Sequence, residues 1–143
     1  MYKIFAVDPT EYEEELEELH AATLGADCPR PRFADGFWWL SRAGDGSLAG
    51  FCGLEPSMAV HNAGYLVRAG VVDEHRGHGL QRRFIKVRER KARSLGWTIL
   101  RSDTTDNIHS SNNLIRAGFT LFEPEIPWAF DNSLYWIKPL KRT

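Results

Sequence analysis

The spacing of apolar and polar positions divides the chain into about six to seven strands and three helices. Residues 2–8 alternate enough to form a first strand. Asp8 or Thr10 can cap a helix reaching to about Leu24, with Pro9 tolerated in its first turn. Tyr12, Leu16, Leu19 and Thr23 share one face of that helix, and Gly25 stands where it ends. Residues 37–42 read as an aromatic-rich strand, Gly44-Asp45-Gly46 as a hairpin turn, and residues 48–54 as the returning strand, which Glu55-Pro56 breaks. Residues 63–72 read as one strand. Gly64 and Gly70 weaken it unless a bulge or a close backbone approach needs them, and a ligand lying along the strand is the reason expected for Gly70. In the next helix Leu80, Phe84, Ile85, Val87, Ala92 and Leu95 mark the buried stripe, and Gly96 ends it. A strand at 98–102, a helix at about 109–117 with Asn107 or Ser110 near its cap, and strands at 119–122 and 133–140 complete the pattern.

Strands joined by tight turns pair antiparallel, and strands joined through helices pair parallel. The expectation is an α/β (α+β) protein with a mixed, mostly antiparallel central sheet and helices on both faces. No repeat or linker interrupts the 143 residues, which suit a single domain spanning 1–143.

Composition narrows the chemistry. A hydrophobic fraction of 43% is that of a globular protein, and no apolar run is long enough for a bilayer. The start lacks the marks of a signal peptide, so a cytoplasmic protein with no membrane partner is expected. Cys28 and Cys52 form no ligand or disulfide pattern, and the five histidines lack metal-site spacing, so no metal is expected. The net charge of −1 hides an acidic first helix and a basic later one, from Arg82 to Arg93. The basic helix has one aromatic, Phe84, on its buried stripe, which argues against nucleic acid as a partner. The loop at 26–36 offers Arg30, Arg32 and Phe33 to a ligand or is a plain surface loop. Trp38, Trp39, Phe33, Trp128 and Phe130 either wall an acceptor site or pack a core.

The stretch from Val71 to Arg83 carries the most information. An apolar strand end runs through Arg76-Gly77-His78-Gly79 into a helix, which aims backbone N–H groups and the positive end of a helix dipole at one spot. That is an anion site. A Walker A loop is absent, and Arg82 stands where a dinucleotide fingerprint needs its third glycine. Arg76-Gly77-His78-Gly79-Leu80-Gln81 instead resembles the Arg/Gln-x-x-Gly-x-Gly/Ala signature of the GCN5-related N-acetyltransferase (GNAT) superfamily, with Gln81 where Gly or Ala is usual. The stretch from Asn107 through Ser110 to Gly118-Phe119 resembles the family's later motif.

The resemblance implies the acyl-CoA N-acyltransferase fold and acetyl-CoA as co-substrate, with no metal. It implies cofactor contacts at Val71, Val72, Arg76, Gly77, His78, Gly79, Leu80, Gln81, Arg82, Asn107 and Asn112. It also implies an oxyanion donor at the Val72 backbone N–H, a small amine or peptide as acceptor, and room for a homodimer. In many relatives a tyrosine protonates the leaving thiolate, and here that position is Leu114. Tyr135 is a substitute candidate. Asp103 and Glu55, with Glu74 behind them, are candidates for the base. The expected activity is acetyl transfer to a primary amine by direct attack in a ternary complex. The alternative is a protein of the same fold that binds acyl-CoA without transferring it.

Overall fold

The computed structural model describes residues 1–141, with eight strands and three α-helices among them. The chain forms two compact units, each assembled from two separate segments.

The first unit comprises Met1–Glu55 and Val67–Phe84. Its strands β1 (Lys3–Val7), β2 (Phe37–Arg42), β3 (Leu48–Pro56) and β5 (Ala69–Val71) pair antiparallel in the order β1-β2-β3-β5. Trp38, Leu40, Phe51, Cys52 and Leu54 are sealed from solvent. The Trp38 ring stacks on Phe51 and its Nε1 donates to the Phe33 carbonyl at 2.7 Å. Phe33, Trp38 and Trp39 are therefore core residues, not walls of an acceptor site. Helix α1 (Glu13–Leu24) buries Leu16, Leu19 and His20 and is closed by the Gly25 N–H on the Ala21 carbonyl. It begins later than the sequence suggests: Tyr12 occupies the cap without a side-chain bond, and Asp8 folds onto Thr10 instead, accepting from its N–H and hydroxyl.

Gly70 has a packing reason. A Cβ there would lie 2.0 Å from Thr23 Oγ1 and 2.6 Å from Thr23 Cβ, so α1 sits directly on β5. The expected ligand along the strand is not what the glycine makes room for. Gly70→Ala is expected to lower stability by about 1–3 kcal/mol, read as a fall in the thermal midpoint. Thr23→Ala would relieve only part of that loss, because the Thr23 Cβ remains in the way. Gly50 lies opposite Val71 and faces the other way: a Cβ there would meet the Phe84 ring at 3.1 Å. Helices thus cover both faces of this ladder.

The second unit comprises Pro56–Leu66 and the chain from Ile85 onward. Here β4 (Ala63–Tyr65) runs parallel to β6 (Ile99–Thr104), β6 antiparallel to β8 (Leu134–Pro139), and β8 antiparallel to β7 (Thr120–Leu121). The register sets Tyr65 beside Arg101, Arg101 beside Ile137 and Asp103 beside Tyr135, all on one face. The other face carries Thr104, Trp136 and Lys138. Lys138 Nζ donates to Glu89 of α2 (Leu80–Ser94) at 2.8 Å and to the Ala117 carbonyl behind α3 (Ile108–Arg116) at 2.6 Å.

The run at 63–72, expected as one strand, is two. Leu66 N–H donates to the Arg101 carbonyl, whereas Val67 N–H points to Gly53 and Gly53 N–H to Arg68. One stretch of backbone so serves two different ladders, and the strand count rises to eight. Helix α2 also departs from its expected stripe: Arg88 is 3% exposed, while Leu95 is 39% exposed.

Candidate active site

The turn between β5 and α2 ends in a glycine-capped helix N-terminus, the backbone arrangement that can hold an anion. Val72 leads into a short 3-10 turn, Asp73–His75, which ends at Arg76. Gly77 and Gly79 then take φ of 82° and 78°, a region that side chains with a Cβ rarely adopt, and a Cβ at either would meet nothing within 4 Å. The glycines are needed for backbone direction and leave open space in front. The first α2 hydrogen bond runs from Arg83 N–H to the Gly79 carbonyl at 3.2 Å, so Gly79 is the cap. A glycine cap has no side chain to satisfy the N–H groups of Leu80, Gln81 and Arg82. Those donors, with the helix dipole, fit the pyrophosphate of a nucleotide-type ligand.

The side chains around the turn have distinct places. Arg76 is exposed beside the turn, its guanidinium 3.3 Å from the Asp73 carboxylate and 3.5 Å from the Val71 carbonyl. The ring of His78 leans on Tyr2, whose hydroxyl meets His75 Nδ1 at 3.0 Å. Arg82 is exposed and Gln81 half-buried. Arg83 bonds the Tyr2 carbonyl at 3.2 Å and so belongs to the fold of the turn.

Val72 requires a correction. Its N–H donates to the Ala49 carbonyl at 2.9 Å, so this donor is engaged in the sheet and is not open to a thioester oxygen. Backbone groups alternate along a strand. Gly70 and Val72 address β3, and Val71 between them directs its N–H to the opposite edge of β5.

Among the acid–base candidates, Glu55 ends β3 half-buried. Burial raises its carboxyl pKa above the ordinary glutamate value, the nearby Asp35 charge raises it further, and Arg68 opposes both. Glu74 is exposed. Asp103 is committed to structure: one oxygen accepts from Tyr65 Oη at 2.5 Å and from Trp128 Nε1 at 2.7 Å. Tyr135 is 8% exposed, and its hydroxyl oxygen accepts the Ala129 N–H at 2.9 Å. Leu114 is buried on α3. Asn107 caps α3, its Oδ1 accepting from Ser110 N–H at 3.0 Å, and Asn112 is exposed on the same helix. Asn107→Ala is expected to cost about 1 kcal/mol, measurable by chemical denaturation.

The sequence model of the Acetyltransferase (GNAT) family matches residues 1–119. The chain belongs to the GNAT acetyltransferase family. Solved structures agree in fold over nearly its whole length. A candidate acyl-CoA N-acyltransferase from Klebsiella pneumoniae is 25% identical, with 99% of each chain covered and a TM-score of 0.75. A Bacillus subtilis acetyltransferase in complex with CoA is 17% identical, covers 99% of this chain and 100% of its own, and has a TM-score of 0.78. A GNAT acetyltransferase from Staphylococcus aureus is 16% identical over the same shares, also with a TM-score of 0.78. A comparison with curated protein sequences finds no match. The eight-stranded, mostly antiparallel sheet with its helices is the GNAT acyl-CoA N-acyltransferase fold.

Within this GNAT chain, sequence reasoning located the glycine turn and the Asn107 cap. It missed Tyr65 and Arg101. The alternation Arg101-x-Asp103 on a strand was the available signal, since it puts both side chains on one face. Of the basic loop residues, left open between ligand groups and plain surface, Arg30 pairs with Glu17, and the exposed Arg32 lies 3.6 Å from Asp35. Among the described residues no cluster of histidine, cysteine or acidic side chains is arranged to hold a metal, and no helix is long and apolar enough to cross a membrane.

Proposed function

We propose that this protein is an N-acetyltransferase that moves the acetyl group of acetyl-CoA to a primary amine of a small molecule or peptide, by direct attack in a ternary complex. The observation that carries the proposal is the uncapped α2 terminus behind Gly77 and Gly79, in a chain of the GNAT family. The N–H groups of Leu80, Gln81 and Arg82 hold the pyrophosphate, and the exposed Arg82 side chain adds charge beside it. Gly77, His78 and Arg76 shape that cradle, and Asn107, the α3 cap, and Asn112, midway along α3, are the further contacts in this reading. Acetyl-CoA supplies the acyl group and a thiolate that leaves readily near neutral pH.

Val71 takes the backbone role first assigned to Val72, because its N–H lies on the β5 edge that β3 does not use. Glu55 is the base. An amine attacks only when neutral, and a carboxyl whose pKa is raised by burial accepts its proton more readily than an ordinary glutamate. Tyr135 is the remaining candidate for a proton donor: its oxygen accepts from Ala129, which leaves its own proton to give. The protein acts as one domain over 1–143 in the cytoplasm, as a monomer or homodimer, on an acceptor that is not nucleic acid.

One observation favours a second reading, that of an acyl-CoA-binding protein without transferase activity. Leu114, with no proton to give, is buried at the position where the family resemblance implies a tyrosine in many relatives. A thiol-release assay with acetyl-CoA and a broad amine panel separates the two. Amine-dependent release supports transfer. Tight CoA binding with no release above the hydrolysis background supports the second reading.

A further inference from the structure

On the face of β6 that carries Arg101 and Asp103, charge is partnered unevenly. Asp103 takes two neutral donors, Tyr65 and Trp128. Arg101, two residues away on the same face, forms no ion pair or side-chain hydrogen bond with any described residue. Its guanidinium is stacked, with Cζ 4.6 Å from the Trp128 ring centre and 4.9 Å from that of Phe122. Nε is buried with no partner. The terminal nitrogens are also unpartnered, yet they are not among the sealed atoms. Ring contact covers part of a guanidinium and leaves its N–H edge.

The stack is itself held in place. Trp128 meets Tyr135 edge-on at 4.5 Å and Tyr65 at 6.1 Å, and its Nε1 is fixed by Asp103. Asp103 is therefore a positioning residue: it fixes Trp128, and Trp128 fixes the direction of Arg101. A cation placed this way, half-buried and in no ion pair with any described residue, keeps donors free for an incoming anion. Its planar fork presents paired N–H donors that the two oxygens of a carboxylate accept together.

We propose that Arg101, held against the neighbouring rings of Phe122 and Trp128, receives a carboxylate of the acceptor, so that the acceptor is an amino acid or a similarly carboxylated amine. This rests on the acetyltransferase reading and adds the acceptor class to it. The same side chain, if it were only a packing element, would show no preference between an acid and its amide.

The test is thiol release from acetyl-CoA with α- and β-amino acids, each beside its carboxamide and its decarboxylated amine. The expected kcat/KM ratio of acid to carboxamide is about 30 or more, the worth of a charge-assisted pair. It should fall to about one in Arg101→Leu and be partly kept in Arg101→Lys. A ratio near one in the unmodified protein overturns the proposal, and so does a high ratio that neither variant moves. If no amine is acetylated although CoA binds, the transferase reading fails. The carboxylate site is then read separately, by thermal shift of the CoA-bound protein with the same pairs. Stabilisation by the acid alone, lost in Arg101→Leu, upholds the site, and equal shifts for acid and amide overturn it.

Discussion

Glu55→Gln is expected to lower kcat about 100- to 1,000-fold and to raise the thermal midpoint at neutral pH. Both effects come from the same burial. The fold disfavours the charged form of Glu55, first through desolvation and then through Asp35, with Arg68 only partly compensating. Its folded pKa therefore lies above the unfolded value, near the ordinary 4.5. A group of this sign stabilises the fold below the unfolded value, and that contribution is lost as pH rises through the folded one. At neutral pH the ionised carboxylate is a cost that glutamine removes, while below about pH 4 the two proteins should be equally stable. The rate runs the other way. Activity in the unmodified protein rises with pH as Glu55 ionises, and this limb is absent from the residual activity of the variant. Paired pH–rate profiles and thermal melts read both. A variant that keeps full kcat removes Glu55 from the base role and returns attention to water or another carboxylate.

Gly79→Trp is expected to weaken CoA binding by about 100-fold or more, an effect of roughly 3 kcal/mol. A Cβ at Gly79 meets nothing within 4 Å, so the substitution starts into open space and the unit should still assemble. Two things are lost. A φ of 78° is strained for any residue with a Cβ, which displaces the backbone at the helix cap. The side chain also occupies the approach to the Leu80, Gln81 and Arg82 N–H groups. A control is available in Gly25, which has a φ of 90° and open space but ends α1 away from any strand-to-helix turn. Gly25→Trp should bear a similar backbone strain and leave CoA binding intact. Equal loss of CoA affinity in both variants would mean that Gly79 acts only through stability.

What could be read in the chain before folding was local. The turn from Arg76 to Gln81 and the Asn107–Ser110 cap lie within a few consecutive residues, and their geometry follows from glycine torsions and one side-chain bond. The features that were misread depend on distant partners. Gly70 is small because Thr23, forty-seven positions earlier in the chain, stands over it. The Val72 N–H is taken by Ala49, and the run at 63–72 splits because Leu66 and Val67 bond to different strands. Arg101 is oriented by Phe122 and Trp128, which no spacing rule connects to it. The α1 start slipped for a local reason: an Asp8–Thr10 turn and a helix cap use the same side chains, and their sequences do not distinguish the two.

In the proposed reading the backbone at the start of α2 holds the pyrophosphate of CoA. Calorimetric titration of the unmodified protein with CoA and with pantetheine, which lacks the phosphates, tests it most directly. CoA is expected to bind at least about 100-fold more tightly, and this difference should nearly vanish in Gly79→Trp. Equal affinity for CoA and pantetheine, or a difference that Gly79→Trp leaves untouched, would contradict it.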